Sequence, residues 1–92
     1  MDRSKILKMR QASLRADIAA LLDSFLIGTV AKSPSMSGYS LTTKKEGKTV
    51  TFYVRKDLVP MALEMSRRYQ HLWFLLQKLS NVNREILNLQ SQ

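Results

Sequence analysis

Leu58, Met65, Leu72, Leu79 and Ile86 recur every seven residues in the C-terminal part of the chain, and Met61, Leu75, Val82 and Leu89 form a second line that only Arg68 interrupts. A seam of this kind, sustained for more than four heptads, predicts one helix over 58–89. Such a helix is about 45 to 50 Å long, whereas a compact chain of 92 residues has a radius of gyration of about 12 Å. Tyr69, Trp73 and Leu76 widen the stripe beyond a bare coiled-coil seam. A first helix, expected over 4–24, spans about 30 Å and is too short to cover all of the second. The distal seam is therefore expected to pair with another chain, most simply as a twofold homodimer, with Met65, Tyr69, Leu72, Trp73, Leu76, Leu79, Val82 and Ile86 at the interface. A membrane-surface helix is the competing use of an apolar stripe, but the polar face carries too few Lys and Arg for it.

The first helix rests on Leu7, Leu14, Ile18, Leu21 and Phe25, spaced seven, four, three and four residues apart, with Ala12, Ala16, Ala19 and Ala20 adding propensity. Lys5, Lys8, Arg10 and Arg15 fall mostly off that stripe, and charge there is the ordinary solvated side of an amphipathic helix. With 45% apolar residues, 3 Gly and 2 Pro, the chain reads as one folded domain over 1–92 rather than a disordered segment. A core of this size is modest, so a subunit or ligand is expected to add to its stability. The cysteine count is zero, which removes disulfides, cysteine-zinc knuckles and thiol nucleophiles together. Met1-Asp2-Arg3-Ser4 leads into an amphipathic segment without a long apolar run, so the expected location is cytoplasmic.

Between the helices lies a β region, expected over 25–56. Phe25–Lys32, FLIGTVAK, is apolar and partly β-branched and reads as a short strand, although Gly28 interrupts it. Residues 33–38, SPSMSG, read as a loop with no Lys or Arg to cradle a phosphate. Tyr39, Leu41 and Thr43 then alternate with Ser40, Thr42 and Lys44, and Val50, Phe52 and Val54 alternate with Thr49, Thr51, Tyr53 and Arg55. The turn Lys45-Glu46-Gly47-Lys48 joins the two runs, with Gly47 available for a positive φ. Pairing Lys44 with Thr49 sets Leu41 against Phe52 and Tyr39 against Val54. A slip of one residue would turn an apolar face to water, which fixes that register. Asp57 is the expected N-cap of the long helix, and Pro60 falls in its first turn, where a missing N–H costs nothing. The fold class is α+β: an N-terminal helix, a small antiparallel hairpin or three-stranded sheet, and a long C-terminal helix.

The formal net charge is +8, from 15 Lys and Arg against 7 Asp and Glu, and residues 24–57 alone hold 6 of the basic and 2 of the acidic side chains. Such an excess favours a polyanionic partner, nucleic acid first. Catalysis has little to work with. The one histidine, His71, has Arg67, Arg68, Phe74 and Leu75 at the helical spacings where an orienting carboxylate or second metal ligand would sit. The acids are scattered singly and no serine stands in a nucleophile-elbow setting. A non-enzymatic protein with no cofactor, no metal and no small-molecule substrate is expected.

The run from Gly28 to Leu87, about two-thirds of the chain, resembles an uncharacterised family of small bacterial proteins often encoded beside transposases. The matching pieces are Gly28-Thr29, Tyr39, Gly47-Lys48, Tyr53-Val54 and Leu58-Val59-Pro60. Members of that family carry a cysteine-rich loop where this chain has SPSMSG, so any metal role of that loop is not carried over. The resemblance implies a mobile-element or phage-like setting.

Two functions are compatible with these features. In the first, the hairpin lays Thr42, Lys44, Thr49, Thr51 and Arg55 against DNA, as a two-stranded ribbon fits the major groove. Lys45, Lys48, Lys32 and Lys56 then contact phosphates and Tyr53 stacks on a base. The plainer reading of the same face is a water-facing sheet, where Thr, Tyr and Lys are ordinary. In the second, the long helix is an adaptor or inhibitor module, with Tyr69, Trp73 and Phe74 forming a patch for a larger protein partner. The plainer reading places Trp73 in an intramolecular or dimer core.

Overall fold

A computed structural model describes residues 2–32 and 38–90. Their order is α1 (Arg3–Leu21), β1 (Thr29–Lys32), β2 (Tyr39–Lys45), β3 (Lys48–Val54), a 3-10 turn (Lys56–Leu58) and α2 (Val59–Gln90). This is the α+β arrangement, and its sheet is three-stranded. The expected loop at 33–38 lies outside the described residues except for Gly38. The chain divides into two compact units. One holds α1 with α2 from Gln70 onward, and the other is Ser24–Tyr69.

In the helical unit, α1 begins where the Asp2 carboxylate accepts a hydrogen bond from the Ser4 N–H at 3.2 Å, a cap worth about 1 kcal/mol. It closes three residues sooner than the stripe suggests. The Leu22 N–H turns back to the Ala19 carbonyl, tightening the last turn so that Asp23 and Ser24 leave the helix. Hydrogen bonds from Gln11 to Asn83 and from Arg3 to Glu85 match rising positions in one helix with falling positions in the other, so the pair is antiparallel. Leu7 and Ile18 are buried from α1, and Leu72, Leu75 and Val82 from α2. Of the distal seam, Leu72, Leu75 and Val82 are thus covered from within the chain, Leu79 and Ile86 are half-buried and Leu89 is exposed. Within this unit α1 lies along the distal part of α2, the part that the length of the two helices left without an intrachain cover. Asn81 and Asn83 do not break α2, and the Asn83 side chain is taken up by Gln11 at 2.7 Å.

In the sheet unit the strands run in the order β1-β2-β3, all antiparallel. Thr42 pairs with Thr51, Lys44 with Thr49, Leu41 with Phe52 and Tyr39 with Val54, the register the alternation requires. The strand expected from Phe25 begins only at Thr29. Gly28 has φ +137, and a Cβ there would stand 2.5 Å from the Thr42 carbonyl oxygen. Upstream of it the backbone bonds to α2 and not to a ladder: the Leu26 N–H donates to the Met65 carbonyl, and the Gly28 carbonyl accepts from Ser66 Oγ at 2.8 Å. Phe25, the last member of the α1 stripe, stacks on Tyr69 with ring centroids 6.3 Å apart. Asp57 sits inside the 3-10 turn and not at a helix cap, and its carboxylate accepts from Arg55. Pro60 is the second residue of α2, as its missing N–H allows.

Candidate nucleic-acid interface

The hairpin turns through Glu46 and Gly47, which have φ of 52 and 79. Both central residues are at positive φ, as a type I′ turn requires, and that turn matches the right-handed twist of the strands it joins. Seven uninterrupted pairs follow from Lys45–Lys48 to Tyr39–Val54. Because directly paired residues share a face, Thr42, Lys44, Thr49, Thr51 and Tyr53 lie together on one side, joined by Thr29 of β1 through its pairing with Thr42. All of these side chains are exposed and none is acidic, whereas Ser40, which the pairing with Tyr53 puts on the same side, is buried. Because β1 pairs with residues 39–42 of β2, the hairpin is two-stranded only from Thr43 to Val50, and that end is the part narrow enough for a groove about 12 Å wide.

Lys45 and Lys48 face each other at the turn, on the opposite parity from Lys44, so the three ammonium groups fan around the hairpin tip with Glu46 as the acid among them. Arg55 continues the Thr-bearing face beyond β3, but its guanidinium is held 3.1 Å from Asp57. The two side chains are 72% and 62% exposed, so the pair is weak enough for a phosphate to displace the carboxylate. At the other end of the sheet, Lys32, Tyr53 and Lys56 come together around a cleft of about 590 Å³, with Tyr39, Val54 and Pro60. Tyr39, expected on the apolar side, also reaches this cleft. No local pattern signals that, because the cleft is made by three segments separated along the chain.

The eight residues expected at a helix interface separate into three kinds. Leu72 and Val82 are buried within the helical unit and are not available to a partner. Met65, Tyr69, Leu79 and Ile86 are half-buried, with Tyr69 engaged by Phe25. Trp73 and Leu76 remain outside, 53% and 39% exposed, beside Gln77, Ser80 and Asn81. Phe74, also 53% exposed, lies under Lys78 Nζ at 4.6 Å from its ring centre, a cation–π contact. Successive helical residues diverge by about 100°, so Trp73 and Phe74 do not form one flat patch.

Sequence reasoning missed Arg68, which stood out only as a break in the apolar line. Its Nη1 donates to the carbonyl and to the Oγ of Ser24, and its Nη2 pairs with Glu64, one turn earlier. The guanidinium thus fastens the start of the sheet unit's chain to α2. His71 is exposed, and among the described residues no three His, Cys, Asp or Glu side chains are grouped to hold a metal. No helix is long and apolar enough to cross a membrane, among the described residues. Comparisons with protein-family models, with curated proteins and with solved structures find no match.

Proposed function

We propose that the protein is a small basic accessory factor that binds nucleic acid, DNA foremost, by laying the β2–β3 ribbon against it. The observation that carries this reading is the acid-free face of Thr42, Lys44, Thr49, Thr51 and Tyr53, all exposed around the buried Ser40 that pairs with Tyr53, with Lys45 and Lys48 flanking it at the tip. Lysines at the tip and Lys32 and Lys56 at the far end neutralise phosphates and set the ribbon's position, which carries no sequence information. Thr hydroxyls and Lys44 reach base edges, where any discrimination arises. Tyr53 offers a ring for stacking on an unpaired base. The protein works without catalysis or cofactor on this reading, and in the cytoplasm. A mobile-element setting rests on the sequence resemblance of Gly28–Leu87 alone.

Fluorescence anisotropy with duplex and single-stranded oligonucleotides tests it. The native chain should bind, and a Lys44→Ala, Lys48→Ala, Arg55→Ala variant should bind at least tenfold more weakly while keeping its circular dichroism. Absence of binding by the folded native chain to either strand form would remove this reading. A second reading, an adaptor that meets a larger protein or a second copy along α2, is favoured by the outward Trp73 and Leu76. An apolar contact of that kind holds its affinity as salt rises, whereas the ribbon's contact with phosphates weakens.

A further inference from the structure

The strand order leaves β3 at the edge of the sheet, seven residues long, unbroken by proline or by a bulge in its pairing with β2. In a two-residue hairpin the pair that closes the turn exchanges ladder hydrogen bonds, and every second pair after it does the same. Lys48, Val50, Phe52 and Val54 therefore spend their backbone groups on β2. Thr49, Thr51 and Tyr53 direct their N–H and C=O groups outward, a template for another strand.

The side chains along that edge are arranged symmetrically about Thr51. A strand of the same sequence laid antiparallel with its own Thr51 opposite Thr51 puts Val50 against Phe52 on the apolar face and Thr49 against Tyr53 on the polar one. Lys48 then lies opposite Val54, so no two like charges face each other. The two copies of Lys48 stand about 20 Å apart at opposite ends of the ladder, well beyond the screening length at physiological salt. Phe52 is 51% exposed although it belongs to the apolar face, and this pairing gives it an apolar neighbour. The other edge, β1, offers only four residues.

We infer that the outer edge of β3 pairs antiparallel with β3 of a second copy of this chain, about a twofold axis through Thr51. The outward groups then make two bonds in each of the pairs Thr49–Tyr53, Thr51–Thr51 and Tyr53–Thr49, and two three-stranded sheets become one continuous sheet. The acid-free faces of both copies run together across the axis. This pairing does not rest on what that face binds, but it makes the face part of a sheet too wide to enter a groove, so contact with nucleic acid would then be made through the open face and the turns.

Sedimentation velocity on the native chain and on Thr51→Pro tests it. Proline at this position removes an N–H that points away from β2, so the intrachain ladder is spared. The native chain should sediment as a dimer at tens of micromolar, and Thr51→Pro as a monomer with unchanged circular dichroism. A native monomer throughout that range, or a dimer that survives in Thr51→Pro, overturns the pairing. Should the proline variant unfold, single cysteines decide, since the chain has none of its own. Thr51→Cys places two sulfurs across the axis, with Cα atoms about 5.5 Å apart, inside disulfide range. Thr49→Cys places its pair about 14 Å apart. Mild oxidation should crosslink Thr51→Cys and leave Thr49→Cys single, and equal crosslinking of the two contradicts the axis.

Discussion

The helical unit buries Leu7, Ile18, Leu72, Leu75 and Val82, branched aliphatic side chains from two helices. The sheet unit buries Val30 and Ala62 among its apolar residues, accompanied by Ser40 and Ser66. A buried Leu or Ile contributes about 1.5–3 kcal/mol by leaving water, so the first unit holds together through area. Small side chains remove much less surface. The second unit depends correspondingly more on its ladder and on a few directed bonds: Ser66 to Gly28, Leu26 to Met65, and Arg68 to Ser24. Contacts of that kind specify position more than they add stability, and they leave surface free for binding.

Substitutions that strike only one kind of contact separate the two units. Leu7→Ala should have the largest effect, about 3–5 kcal/mol in denaturant unfolding, since Leu7 is completely buried and α1 has nothing to fill the space. Gly28→Ala should follow at about 2–4 kcal/mol, because it combines a positive φ with a Cβ against the Thr42 carbonyl. Hydrogen exchange should locate its loss in β1 and β2 while the α1 amides keep their protection. Arg68→Ala should cost about 1–2 kcal/mol, seen as faster exchange around Ser24–Gly28. Its loss would sharpen the contrast if α1 protection stayed level and would break it if both units loosened equally. Glu46→Gly should act in the other direction, stabilising by about 0.5–1 kcal/mol, because Glu46 holds a left-handed φ that glycine adopts without steric cost.

How legible each part was in the sequence follows the same division. Period-two alternation on both sides of a Gly-bearing turn dictated the β2–β3 register, because any slip inverts a face. The heptad line gave α2 nearly to its ends. It could not say which partner fills the seam, since Leu72 and Val82 look the same whether α1 or another chain covers them. The start of β1 was hidden because FLIG reads as strand by residue type, while the φ of Gly28 and the acceptor at Met65 decide otherwise. Asp57 resembled a cap until a nearby guanidinium competed for its carboxylate. Arg68 carried no local signal, as its partner Ser24 lies far away along the chain. In the candidate site, face membership followed from the strand pattern. The cleft joining Lys32, Tyr53 and Lys56 did not, because it needs the third strand and the 3-10 turn in place.

The most direct test of the ribbon as a polyanion surface is the salt dependence of duplex binding, taken as the slope of log K against log salt for the native chain and for the Lys44, Lys48, Arg55 triple alanine variant. A ribbon that neutralises phosphates should give a steep negative slope, and removing three of its cations should make it shallower by about two to three units. Equal slopes for the two proteins, or affinity that does not change with salt, would contradict a nucleic-acid face on this hairpin.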